Sequence, residues 1–489
     1  MYCSGCQGLC WSSIVVLMAL GGCATTQTET ASSDSRSTPI ALPTRNAEPS
    51  PTNEVRQVAH IKAANPAHND RLFEGPTHVE ELISFAMSNN PEIRVARAKA
   101  QARMARIPQA RALDDPYVST TLFIKEIETA AGPQEAVVSV SQKLPWFGKR
   151  WLRGHAAYHD AQAAYAELAN VELTVIEQVK LAYYDLYFIE EAIRVNRLLV
   201  PKLNDVISMS RSKYETDEDQ VGLETVLQAE VELHQLQVTL AELGQARAKA
   251  NARLAKAIHL PRGLKLAVQP RMPETSRPPD VDMLVAMIDQ CHPQLKARRQ
   301  EIQRDNTNVR LARKNYFPDF NIGFNWIDIG ERGLSPVANG DDAYSVMLGM
   351  NVPIYRGKLN AAVRETRANA SQSSHRYNAT WDQLRADVET FHAQAIEHDR
   401  VLAILNTKIL RKAEQTLELS VEGYRVDRIG FQQLIDNYET LLRFRISYHM
   451  RRARREQAIA QLERAIGCVA STWQVASTVR AEPLPEPQN

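Results

Sequence analysis

Four short stretches of the chain alternate between apolar and polar positions: 117–127, 135–144, 319–328 and 343–352. In the later pair, Phe320, Ile322, Phe324 and Trp326 fall on one side of an extended strand, and Asp319, Asn321, Gly323 and Asn325 on the other. Tyr344, Val346, Leu348, Met350 and Val352 likewise oppose Ser345, Gly349 and Asn351. In the earlier pair Val118, Leu122 and Ile124 oppose Ser119 and Thr121, while Ala136, Val138 and Val140 oppose Ser139 and Ser141. A period of two predicts strands with one apolar face. About 9–11 residues is also the length a tilted strand needs to cross a bilayer. Four strands cannot close a barrel, and open edges are not tolerated in hydrocarbon. Either several chains pool their strands in lipid, or the runs form a soluble two-hairpin sheet packed on the rest of the chain.

Between these runs the pattern changes to long stretches without breakers. From Lys149 to about Ser212 the only proline is Pro201 and the only glycine Gly154; from Lys358 to about Val421 there is neither. Each predicts a helix of roughly 63 residues, or about 95 Å at ~1.5 Å per residue. Helices of that length need partners along their whole extent. Shorter helices are predicted over 91–115 and 223–258, with counterparts in the second half. Their summed length nearly equals that of one long helix, so two short helices stacked end to end would lie beside it.

The pattern occurs twice. Asn90-Pro91-Glu92-Ile93 and His292-Pro293-Gln294-Leu295 both open helices, since proline is tolerated in a first turn. Pro91 to Pro116 and Pro293 to Pro318 are each 25 positions, and Gly222 to Ile258 and Gly430 to Ile466 are each 36. The chain is a duplicated unit. Each copy turns from strand to helix at a similar corner, LPWFGK at 144–149 and VPIYRGK at 352–358. Pro145 and Pro353 end strand pairing and preset a helix start. Trp146-Phe147 and Ile354-Tyr355 put bulky side chains where a membrane interface would lie. Gly148 and Gly357 are expected to permit the sharp corner, and Lys149, Arg150, Arg356 and Lys358 to suit lipid headgroups.

Composition adds limits. With 58 Lys and Arg against 57 Asp and Glu, charge balance gives no case for a nucleic-acid partner. Residues 11–23, WSSIVVLMALGGC, read as the apolar core of an export signal, and Leu20-Gly21-Gly22-Cys23 resembles a lipobox that would leave Cys23 lipidated. The expected organisation is a signal peptide over 1–22, an anchor and polar tether over 23–75, one repeat over 76–270, a second over 271–468, and a loose tail over 469–489.

The duplicated helix–strand–strand–helix–helix unit, the two corners, the openings NNPEI and CHPQL, and the hairpin tips with Tyr214/Gly222 and Tyr424/Gly430 together resemble the TolC-type outer-membrane efflux family over about 78–468. The form SQKLPWFGKRWLRG is most similar to its heavy-metal (CusC- or CzcC-like) lipoprotein branch. The resemblance implies a mainly α protomer with four transmembrane β-strands, built from two repeats of helix–strand–strand–long helix–helix. It implies a homotrimer that pools twelve strands into one outer-membrane barrel above a helical periplasmic tunnel. It further implies docking to a periplasmic adaptor and to an inner-membrane pump of RND type. Members often carry glycine three residues after the tip tyrosine, where Asp217 and Asp427 stand here, and the first tip is two residues longer than the second.

In such a trimer, Glu215, Asp217, Glu218 and Asp219 of the first tip would form an acidic ring at the periplasmic mouth, a device that favours cations. Tyr214, Gly222, Tyr424, Asp427, Arg428 and Gly430 complete the expected gate and adaptor contact, with Asp427 and Arg428 placed to pair with the first tip and hold it shut. His155 and His159 have a metal-compatible spacing, but no acid or cysteine accompanies them in sequence. No catalytic residue, resident metal or cofactor is expected. Cys291 and Cys468 flank helix ends that would abut, and so form a candidate disulfide. Two other readings stay open on the sequence: a periplasmic adaptor lipoprotein, and an envelope coiled coil without a pore.

Overall fold

The computed structural model describes residues 75–216, 223–260, 267–269, 272, 275–332, 337, 339–470 and 473. Cys23, Asp217, Glu218, Asp219, Gly222 and the tail beyond residue 473 lie outside them.

In chain order the elements are β1 (Pro76–Thr77), α1 (Val79–Asn89), α2 (Pro91–Arg111), β2 (Tyr117–Thr129), β3 (Gly132–Leu144), α3 (Lys149–Thr216) and α4 (Leu223–Ile258). There follow β4 (Ala267–Val268), α5 (Val281–Cys291), α6 (Pro293–Lys314), β5 (Phe320–Ile329), β6 (Ala343–Met350), α7 (Arg356–Ile404), α8 (Leu410–Arg425) and α9 (Phe431–Ile466). The first long helix, α3, has 68 residues and runs through Pro201. The second is not uniform as predicted: a π-helical turn at Leu405–Ile409 separates α7 from α8. A single extra residue in a turn leaves no composition signal. The expected helix over 91–115 ends at Arg111. Helices α1 and α5 and the small parallel pair β1–β4 were not predicted. At 11 residues each, α1 and α5 are too short to stand out as periodic stretches.

Helices α2, α3, α6 and α7 pack side by side in that order, and α4 and α9 flank the far part of α3. The short helices do stack end to end. Asn90, at the start of α2, caps its own helix by accepting the Glu92 N–H (2.8 Å) and donates through Nδ2 to Ala257 O at the end of α4 (3.0 Å). In the second repeat His292 Nδ1 accepts the Gln294 N–H (3.1 Å), and Gly467 at the end of α9 lies against it. Here a disulfide between Cys291 and Cys468, with Cα atoms 5.8 Å apart, replaces the amide link of the first repeat. Both short helices end in a left-handed residue, His259 (φ 56°) after α4 and Gly467 (φ 83°) after α9. Three apolar clusters run along the assembly, around Tyr183 and Leu186, around Leu199 and Leu434, and around Leu295 and Trp473.

Candidate functional site: an open sheet, two corners and a helical mouth

Strands β2–β3–β5–β6 form one antiparallel sheet in that order, so the two hairpins of the repeats meet through β3 and β5. Register puts like beside like. Val118, Val140, Phe324 and Val346 stand in one cross-strand row, and Ser119, Ser139, Asn325 and Ser345 in the next. Alternation therefore gives the sheet one largely apolar side and one mixed side with a row of small polar residues, where Asn325 Nδ2 donates to Ser345 Oγ (3.0 Å). Among the described residues nothing covers the apolar side: Leu122 is 71% exposed, Val346 71% and Leu348 78%. The outer strands β2 and β6 each pair on one edge only. Large exposed apolar surface and open edges mark a face that is buried elsewhere.

The two corners are built differently. In the first, the Lys149 N–H donates to Trp146 O (3.0 Å) across a turn whose third residue is Gly148 at φ 86°, the position where a tight turn requires glycine. Trp146 stacks on Phe317 (5.2 Å) and Phe320 (5.7 Å), while Phe147 is exposed. Lys149 does not reach out as expected of a headgroup ligand. It is buried, with Nζ donating to Asp319 Oδ1 (2.7 Å) and Phe317 O (3.0 Å), and Asp319 also accepts the Trp146 N–H (2.8 Å). The first corner is thereby riveted to the second hairpin. A buried ammonium demands such partners. In the second corner Gly357 is a helical residue inside α7 and its freedom is not used. The bend after Pro353 comes instead from two three-residue turns, Ile354 N–H to Val352 O and Arg356 N–H to Ile354 O (both 2.9 Å), with Tyr355 at φ −80°, ψ 73°. Ile354 and Tyr355 are exposed.

At the opposite end of the long helices, Tyr424 is buried at the base of the second tip. Its hydroxyl lies 2.9 Å from Ser210 Oγ, and its ring meets Phe431 edge-on. Asp427 occupies φ 58°, the left-handed conformation that favours glycine and that aspartate tolerates. The structure pairs Asp427 with Lys213 of α3, which also donates to Tyr424 O and sits 4.6 Å over the Tyr424 ring. The sequence reading named Asp427 but not Lys213. Tyr214 is half-buried, Glu215, Arg428 and Gly430 are exposed, and the rest of the first tip lies outside the described residues.

Among the described residues no group of three or more His, Cys, Asp or Glu side chains could hold a metal ion. The His155 ring lies 3.8 Å from that of Trp151 at a tilt of 36°, and His159 Nδ1 lies 2.8 Å from Gln300 Oε1. No described helix is long and apolar enough to cross a membrane.

A long helical layer is thus continued by a four-stranded sheet, largely apolar on one side, with a row of small polar residues on the other and both edges unpaired among the described residues. The chain belongs to the outer membrane efflux protein family, which matches residues 82–261 and 284–468. It is an outer-membrane efflux channel, the exit duct of a tripartite system. It is 21% identical to the cobalt-zinc-cadmium resistance protein CzcC of Cupriavidus metallidurans over 81% of this chain and 91% of that one. Among solved structures, CusC superposes with a TM-score of 0.68 at 17% identity, over 81% of this chain and 94% of the other. The outer-membrane channel OprN gives 0.68 at 16% identity, over 81% and 90%.

Proposed function

We propose that three copies of this chain pool their strands into a twelve-stranded barrel in the outer membrane, above a helical tunnel that receives cargo from an adaptor and an RND-type pump. The observation that carries this reading is the uncovered sheet. Its apolar side suits lipid, its serine and asparagine side suits water, and its open edges β2 and β6 can be satisfied in hydrocarbon only by closure. The two repeats, 76–270 and 271–468, each supply one hairpin, and Cys23 supplies a lipid anchor. The duct hydrolyses nothing; energy comes from the pump. The similarity to a cobalt-zinc-cadmium resistance protein favours metal ions as cargo, with small toxic compounds the wider class. At the mouth, Lys213 holds Asp427 and Tyr424 and so favours the closed state.

The full chain in detergent should run as a heat-resistant trimer and give unitary ion currents in planar bilayers. A monomer that stays in solution after its anchor is removed, and carries no current, would overturn the reading.

A further inference from the structure

Just below the sheet, α2, α3 and α6 enclose a groove of about 650 Å³ whose charged lining is one-sided. Arg103 and Arg106 come from α2, Arg153 from α3 and Arg304 from α6, against the single carboxylate Asp160 on α3. Asp160 forms an ion pair with Arg103 Nη1 (3.0 Å) and accepts from Arg304 Nη1 (3.2 Å), so helices on both sides of α3 reach over it. Arg304 also forks onto Asp305 through Nε (2.9 Å) and Nη2 (3.1 Å). Among the described residues neither Arg106 nor Arg153 has an acidic partner. Counting Asp305 with Asp160, four guanidinium groups face two carboxylates. Ala156 and Ala157 form the floor and leave the space open.

A paired arginine network needs no more cations than acids. Here Asp160 draws two guanidinium groups into place and two more are left facing the same space. Forked guanidinium groups match oxyanions in charge and geometry, and the volume is in the range of small-molecule sites, roughly 300–1,000 Å³. We propose that this groove binds phosphate-type oxyanions, with Arg106 and Arg153 as the direct ligands and Arg103 and Arg304 held in position by Asp160. Arg153 is four residues beyond Lys149 and Asp160 eleven, which places them about 6 and 16 Å below the corner at ~1.5 Å per residue. The headgroup zone on each side of a bilayer is roughly 5–7 Å deep. The phosphate can therefore come from a lipid headgroup or from a soluble anion. The site does not require conduction, and the two are tested apart.

Titration of the detergent-solubilised full chain with inorganic phosphate at low salt should give saturable binding. Substituting Arg106→Gln and Arg153→Gln together should weaken it at least tenfold, with heat-resistant migration of the variant showing that assembly is retained. Raising salt should weaken wild-type binding, because charges that meet in a solvent-open groove are screened. Nanodiscs containing phosphatidylglycerol, compared with phosphatidylcholine alone, separate the sources: loss of phosphate binding only in the former assigns the headgroup, and binding in both assigns the soluble anion. Equal affinity in the double variant, or no phosphate binding by the wild type in any of these settings, overturns the proposal. A protein that conducts without binding phosphate sinks only this site; one that binds phosphate without conducting sinks only the duct.

Discussion

At the scale of single residues, the joints between stacked helices concentrate the constraints. Gly467 is left-handed at φ 83°, and a Cβ there would lie 2.6 Å from His292 Cα and 3.0 Å from His292 N. Gly467→Ala must move backbone, so a loss of about 2–4 kcal/mol is expected, read as a lowered midpoint in denaturant unfolding. His259 takes the equivalent conformation in the first repeat at φ 56°, with its side chain exposed. His259→Gly should raise stability by about 1 kcal/mol in the same measurement, since left-handed backbone costs a side-chain-bearing residue about that much. His292 is buried, and burial, reinforced by the Arg464 and Lys296 charges, lowers its pKa to about 4. Protonation would also remove the Nδ1 lone pair that accepts the Gln294 N–H. Because the folded value is depressed, this stability is fully present above the ordinary histidine value of about 6.5 and is lost as pH falls towards 4. His292→Asn, which can keep the cap, should flatten the slope of unfolding free energy between pH 6.5 and 4.

At the scale of elements, what could be read in the sequence follows from the physics that wrote it. Strand alternation showed because one side of the sheet is apolar, and the repeat showed because proline and glycine recur at equal spacings. The helix pair α4 and α9 came out with the expected bounds, since Gly222 and Gly430 precede them and no proline follows before Ile258 and Ile466, Gly244 being tolerated within α4. Lys149 was misread because its partner Asp319 is 170 positions away, and a basic residue beside aromatic ones resembles an interface anchor until that partner is seen. Lys213 escaped notice for a similar reason: Asp427 and Tyr424 meet it only when the two hairpins pack. The same pair carries a prediction. Lys213→Ala removes the ion pair, the carbonyl contact and the cation–π contact together, leaving the second tip held to α3 mainly by the Tyr424–Ser210 hydroxyl contact. Unitary conductance in planar bilayers should rise several-fold, and unchanged conductance would remove Lys213 from the gate. Since α8 is joined to α7 through the π-helical turn at Leu405–Ile409, the tip has a defined place about which to move.

At the scale of the whole molecule, the two sides of the sheet should respond oppositely to the same substitution. Leu348 projects from the apolar side, so Leu348→Arg should cost roughly 2–4 kcal/mol of insertion and lower the yield of heat-resistant trimer. Ser139 stands in the polar row, so Ser139→Arg should leave the trimer intact and shift the reversal potential in a salt gradient towards anions. Identical losses on the two sides would mean that the sheet is not a wall between lipid and water.

The bond between Cys291 and Cys468 bears on when the protein finishes folding. It ties positions 177 residues apart, almost the whole second repeat, while the matching joint of the first repeat has a hydrogen bond and no covalent link. Thiols stay reduced where polypeptides are synthesised and couple beyond the inner membrane. The second repeat is therefore sealed only after secretion, so a newly made chain remains loose enough to thread through an export machine and acquires its last fastening at its destination.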